Sequence, residues 1–248
     1  MIPKVIHYCW FGGASLPSLA IKCINSWKKY FPDYEIVRWD ETNFDVNMMD
    51  YTREAYQAKK FAFVSDVARF WILYYHGGIY FDTDVEVIKS FNNILSKGAF
   101  MGCETSCSVG KPLWVAPGLG MGAEVGHVLY EQMLNRYRSI HFLVDGKMKN
   151  ETVVNHMTQL LKRHGLQEMN VIQEIAGITI YPKDYMCPMS TEGRVMNVTS
   201  NTVSIHHYAK SWVGTKSKIK KIISIALGPS ITMFIIKTKR ILMGKNKK

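Results

Sequence analysis

The segment GGIYFDTDVEV, residues 77–87, constrains this chain more than any other. Two glycines end whatever precedes them, because glycine accepts the positive φ that helix ends require. Ile79 to Phe81 then reads as a brief buried strand, Asp82 and Asp84 follow at its carboxyl end, and Val85 to Ile88 resumes the apolar pattern. Apolar strands with charge at the carboxyl end belong to open α/β sheets, whose ligands gather beyond that end. The first forty residues agree. Val5 to Trp10 is a short buried strand closed by Gly12–Gly13, and Pro17 to Tyr30 carries Leu19, Ile24 and Trp27 (with Phe31 just beyond) at helical spacing. Pro32–Asp33 breaks that helix, and Tyr34 to Trp39 is a second strand, so parallel pairing across a helical crossover is expected.

Asp40 to Tyr51 is polar and reads as loop. A helix from about Phe61 to His76 carries an apolar stripe of Phe63, Val67, Phe70, Trp71 and Tyr74. Phe100 to Cys103, Ile178 to Tyr181 and Val203 to His207 read as further strands, and Val125 to Tyr137 and Glu151 to His164 as amphipathic helices.

Two carboxylates one residue apart, as in Asp82-Thr83-Asp84, can both reach a hard divalent cation, which completes its shell with substrate phosphates. Asp66 and Arg69, in FVSDVARF, stand i, i+3 on one helix face. They are either an ion pair of small worth or a sugar-binding pair, in which a guanidinium fork suits oxyanions. The apolar surroundings favour the second. In IHHYAKSW, His206 or His207 offers a further metal ligand, while Ser211 and Trp212 could close over a diphosphate; two edge histidines and a packed tryptophan fit equally well. Trp10 can stack on a nucleotide base or serve the core. Gly118, Gly120 and Gly122 permit close backbone approach, and Glu151 and Asn155 are either acceptor contacts or, as fits them better, ordinary exposed helix positions.

The net charge of +11 is local. Ten of the 31 basic residues and none of the 20 acidic ones fall in 214–248, leaving 21 against 20 in 1–213. A nucleic-acid protein would spread its cations over a folded face, so no nucleic-acid partner is expected. The expected division is a catalytic domain, 1–213, and a basic, apolar tail, 214–248. Within the tail, Ile222 to Ile236 is nearly all apolar but broken by Gly228–Pro229, short of the ~20 residues of a span. The tail's lysines with an isoleucine stripe fit a helix lying in an anionic membrane surface, or else a solvated basic tail with a helix docked on the body. Five cysteines without a CxxC pair read as reduced thiols in a cytosolic protein, and the N-terminus lacks the pattern of a signal peptide.

The ordered set IPKVIHYCWFGG, SWKKYFPDYEIVRWD, FAFVSDVARFWILYYHGGIYFDTDVEV and IHHYAKSW resembles glycosyltransferase family 32. These are DXD-containing sugar transferases that include fungal outer-chain mannosyltransferases and bacterial capsule enzymes. The resemblance is dense over about residues 1–105 and returns at IYPKDYMCP and IHHYAKSW. It implies a GT-A, Rossmann-like mixed sheet flanked by helices. It also implies a UDP- or GDP-sugar donor, a Mn2+ or Mg2+ ion, and hexose transfer with retained configuration to a glycan or lipid-linked oligosaccharide. By the same resemblance Trp10 stacks the base, and Asp66 and Arg69 hold the donor sugar. Asp82 and Asp84, with Thr83 between them, bracket ribose, metal and diphosphate. No enzymic nucleophile is implied; the departing diphosphate oxygen accepts the acceptor's proton. The setting implied is capsular or surface polysaccharide synthesis at the inner face of the cell membrane.

Two rivals stand beside this reading. A membrane-docked sugar-binding module would not need a metal at a leaving group, and a metal-dependent phosphohydrolase would want more carboxylate or histidine ligands around its ion.

Overall fold

Alternation of side chains along short apolar runs sets the frame. The computed structural model describes residues 1–108, 112–148, 151–189 and 195–209. In chain order the elements begin β1 (Val5–Cys9), α1 (Ser18–Tyr30), β2 (Glu35–Trp39), α2 (Asp50–Gln57), α3 (Phe61–His76) and β3 (Gly78–Tyr80). There follow β4 (Val85–Val87), α4 (Asn92–Leu95), β5 (Phe100–Gly102), β6 (Met121–Ala123), α5 (Val128–Arg138) and the hairpin β7 (Leu143–Val144) and β8 (Lys147–Met148). The last are α6 (Val153–Arg163), β9 (Gln173–Ile175), β10 (Ile178–Tyr181), α7 (Lys183–Met186) and β11 (Ser204–His206). Residues Met1–Tyr208 form one compact unit.

The main sheet has the order β2-β1-β3-β6-β5-β10-β9. β1 runs parallel to both β2 and β3, as the strand–helix–strand opening predicts, and β10 runs parallel to β5. β6 lies antiparallel between β3 and β5, and β9 antiparallel beside β10. The sheet is therefore mixed and flanked by helices, the architecture expected from the sequence. Its two faces bury separate cores. Ile79 and Phe81 pack on the α1 side with Trp27, Phe31 and Phe91, while Tyr80 packs on the α3 side with Val67, Phe70 and Tyr137. Trp27 is wholly buried, and its indole N–H donates to the Val85 carbonyl at 2.8 Å. Because successive side chains of a strand face opposite ways, Asp82, two residues after Tyr80, falls on the α3 side.

Two expectations need correction, and one strand adds to them. Residues 40–51 are not all loop: α2 begins at Asp50, its short polar sequence carried by packing of Tyr51 and Ala55 into the core. The glycine-bearing stretch around Met121 is a strand in the middle of the sheet, too short to show as one in sequence. α5 starts at Val128 rather than Val125, because Gly126 turns at φ 78° and the His127 side chain caps the helix. Among the described residues no helix is long and apolar enough to cross a membrane. The boundary at 213 and the tail, 214–248, lie outside the described residues.

Within β1, His7 is 3% exposed and held at both ring nitrogens. The Trp39 indole N–H, which can only donate, gives its proton to His7 Nδ1 at 3.0 Å, so Nε2 carries the ring hydrogen and donates to the Gly77 carbonyl at 3.1 Å. The ring is neutral, and burial lowers its pKa to about 4 against the pull of the Gly77 bond. The unfolded chain binds this proton near pH 6.5, the native protein only near 4, so the stability contribution is complete above the first and lost as pH falls toward the second. Thermal unfolding between pH 7 and 4.5 should therefore show a decline, of about 1–3 kcal/mol from this group. A His7→Gln variant should lack that share; an identical decline in the variant would remove His7 as its source.

Candidate active site

Arg69 lies on the sheet-facing side of α3, where an apolar helix has buried a guanidinium to 4% side-chain exposure. Its Nη2 reaches Asp66 Oδ1 at 3.0 Å and Asp82 Oδ1 at 3.1 Å, and its Nε donates to the Ser65 carbonyl at 3.1 Å. The Tyr80 hydroxyl donates to the same Asp82 oxygen at 3.1 Å, and the guanidinium stands 5.0 Å over the Tyr80 ring. The i, i+3 pair read from sequence is thus no surface bridge. It is a buried knot joining α3 to the end of β3.

The electrostatics follow from that burial. Asp66, 13% exposed at its side chain, is pushed up to about 7 by desolvation, with Arg69 pulling it down and Asp82 up. Asp82 is raised for the same first reason, against Arg69 and with the Asp84 charge adding. Burial acts to lower the Arg69 pKa, but Asp82, Tyr80 and Asp66 outweigh it, so the guanidinium stays charged. On the other side of Asp82 runs the backbone of Gly118, whose carbonyl accepts from the Asp82 N–H at 3.2 Å. A Cβ at Gly118 would collide with Asp82 Oδ2, which is why a glycine sits there. Gly120 and Gly122 make close approaches too, against Phe81 and Phe100.

A second cluster shares Asp82. Ligand atoms of Asp82, Asp84 and His206 all lie within 4.8 Å of one another. β11 pairs antiparallel with β4, His206 opposite Val85, and this brings the imidazole to the aspartates. His206 Nε2 lies 3.1 Å from Asp84 Oδ1, and His206 Nδ1 is buried with no hydrogen-bond partner among the described residues. Two carboxylates and an imidazole make a donor set that fits a divalent cation. Burial lowers the His206 pKa, but the Asp84 bond and the charges of Asp84 and Asp82 raise it overall. His207 points the other way, to Glu86 Oε2 at 2.8 Å, where Lys22 also reaches at 2.8 Å. Of the two candidate histidines, the structure brings His206 alone to Asp82 and Asp84.

Trp10 sits half-buried just past β1, its indole N–H donating to the Ala14 carbonyl at 2.7 Å. Thr83 is half-buried in the turn between β3 and β4. Ser211 and Trp212 lie outside the described residues. Glu151 receives Arg136 at 3.3 Å, and Asn155 completes a capping box with Thr152 at the start of α6. Sequence reasoning missed Tyr80, although its place two residues before Asp82 on a strand was enough to put it on the same face. It also missed Glu86, which holds the histidine that does not face the cluster.

The class this defines is a mixed α/β protein with a buried Asp–Arg–Asp knot beside a carboxylate–imidazole cluster at the carboxyl end of β3. Residues 17–101 match the family described as glycosyltransferase sugar-binding region containing DXD motif. The match covers about a third of the chain. Inositol phosphoceramide mannosyltransferase 1 of Schizosaccharomyces pombe is 30% identical over 111 residues, covering 40% of this chain and 33% of that protein. Inositol phosphoceramide mannosyltransferase 3 of the same yeast is 33% identical over 104 residues, covering 40% and 29%. The chain thus spans about a third of the length of these relatives. The solved PaToxG glycosyltransferase superposes with a TM-score of 0.47 at 18% identity, covering 65% of this chain and 69% of that one.

Proposed function

We propose that this chain is a metal-dependent glycosyltransferase that moves a hexose from a nucleotide-diphosphate sugar to a glycan or lipid-linked acceptor with retention of configuration. One observation carries the reading. Asp82 belongs at once to the Arg69 knot and to the cluster with Asp84 and His206, so the groups we assign to the sugar and those we assign to metal and phosphate share one carboxylate. Asp82, Asp84 and His206 would hold a Mn2+ or Mg2+ ion. When bound, it supplies positive charge against the negative charge that develops on a departing diphosphate.

The chain's own residues do the rest. Arg69 fixes the two carboxylates, its Nη2 already given to both. Asp66, poised near pH 7, accepts a hydrogen bond from a donor-sugar hydroxyl when ionised and can donate one when protonated. Trp10, at the rim of β1, offers a ring for the base. The acceptor oxygen forms its bond to the anomeric carbon as the bond to diphosphate breaks, and the acceptor's proton passes to the diphosphate oxygen. No side chain is required as nucleophile.

The names of the relatives suggest where to begin, with mannosyl transfer to a lipid-borne acceptor; the setting that goes with the basic tail is surface polysaccharide synthesis at the cytoplasmic face of a membrane. The basic tail would hold the enzyme on that surface. The test is a panel of UDP- and GDP-sugars, GDP-mannose first, with and without Mn2+, scored for nucleoside diphosphate release and for sugar transferred to anionic vesicles bearing glycolipid. Metal-dependent release from one donor is expected, with the full chain sedimenting with the vesicles and a 1–213 chain remaining in solution. No release from any donor would leave a sugar-binding module and sink the transferase reading; equal sedimentation would sink the membrane role of the tail.

A further inference from the structure

One buried polar atom in the site lacks a partner. Among the described residues His206 Nδ1 has no hydrogen bond, although the ring is boxed in: Asp84 lies 3.1 Å from Nε2, and the Tyr208 ring stands edge-on at 4.3 Å between centroids. Leaving a buried donor or acceptor unmade costs on the order of 1–3 kcal/mol. A histidine that ligates a metal through one nitrogen ordinarily gives the hydrogen of the other to a carboxylate, which fixes the tautomer.

Glu104 is joined to this ring by a chain of contacts through Cys187 and Tyr208. It follows the end of β5, where its backbone N–H donates to the Trp114 carbonyl at 2.8 Å and that of Cys103 to the Tyr181 carbonyl at 2.9 Å. The Cys187 thiol lies 3.8 Å from the Glu104 carbonyl and 3.0 Å from the Tyr208 hydroxyl, so Glu104, Cys187, Tyr208 and His206 pack in sequence. Among the described residues the half-buried Glu104 carboxylate is committed to no hydrogen bond. Burial raises its pKa, and the charges that oppose this are those of His206 and Lys183. The charged groups that act on His206 are Asp84 and Asp82 from the β3–β4 turn and Glu104 after β5, with the Tyr208 ring of its own segment stacked edge-on.

Resting on the metal reading above, we propose that Glu104 is a positioning residue of this site: its carboxylate accepts the Nδ1–H of His206 and so presents the Nε2 lone pair to the cation beside Asp82 and Asp84. The probe is Mn2+ alone, titrated into the full chain without nucleotide and followed by the loss of the free-ion electron paramagnetic resonance signal. Glu104→Ala should weaken Mn2+ binding roughly 10–100-fold. Glu104→Gln keeps an oxygen that can accept from Nδ1 and should bind within about threefold of the parent, since the hydrogen bond rather than the charge sets the tautomer. Melting curves of both variants establish that they are folded. Parent-like binding by Glu104→Ala overturns the proposal, as does a Glu104→Gln variant as weak as Glu104→Ala. Asp84→Asn in the same titration separates the failures. If it too binds as the parent does, the metal reading has failed; if it alone loses binding, only the role of Glu104 has.

Discussion

Asp84→Asn will cut transfer by about 10²–10³-fold in kcat/KM while leaving the melting temperature within a few degrees of the parent. Asp84 sits in a turn, 16% exposed at its side chain, and its carboxylate faces His206 rather than the core. An asparagine there keeps an oxygen for His206 Nε2, so the local geometry survives. What goes is one of the two negative charges in the donor set, and with it the fixed electrostatics at the point where a diphosphate would leave. A factor of that size corresponds to roughly 3–4 kcal/mol of transition-state stabilisation. The raised pKa of His206 should fall in the variant, because the bond to Asp84 and its charge do most to hold that pKa up against burial. Unchanged turnover and unchanged Mn2+ dependence in Asp84→Asn would refute the placement of the reaction at this cluster.

Arg69→Met should behave in the opposite way, as a stability variant before it is an activity variant. The guanidinium is 4% exposed and serves two carboxylates that are 13% and 29% exposed. Removing one member of a buried ionic group leaves uncompensated charge and costs about 3–5 kcal/mol. For a chain of this size that is a loss of roughly 6–20 °C in melting temperature. The pH dependence identifies the cause. Asp66 and Asp82 are already raised by burial with Arg69 present, and without it both rise further. The folded variant then binds protons that the unfolded chain releases above its ordinary carboxylate pKa, so the variant gains stability as pH falls. The gap to the parent should narrow between pH 7 and pH 5. Arg69→Lys keeps the charge but not the fork, and cannot hold Asp66, Asp82 and the Ser65 carbonyl together. It should lie between the two in melting temperature and still lose most activity. A Met variant that melts within a degree or two of the parent at pH 7 would show that the knot is not what joins α3 to β3.

Much of this is legible in the sequence alone. The short buried runs of Val5–Cys9 and Gly78–Tyr80, the glycines that stop α3, and the pair of aspartates at a strand end all act locally, over a few residues, and local patterns survive in sequence. So does the pairing of Asp66 with Arg69, because helical geometry puts i and i+3 together wherever the helix lies. β6 is not legible: three small or flexible residues hold a central place only because β3 and β5 flank them. α2 is hidden for a similar reason, being polar in sequence and helical because Tyr51 and Ala55 find a core.

The choice between His206 and His207 shows the division most plainly. Sequence supplied two adjacent imidazoles on a strand and the rule that they must face opposite ways. It could not supply the register of β11 on β4, which sets His206 against Val85 and hence beside Asp84, and hands His207 to Glu86. What the sequence determined by itself was the chemistry on hand: a strand-end pair of aspartates, a helix with its Asp and Arg, and a histidine-bearing strand far along the chain. What only the tertiary structure decided was their union, one guanidinium between two carboxylates and one imidazole beside two, because contacts between residues 66, 82, 118 and 206 depend on sheet order and strand register that no local preference encodes.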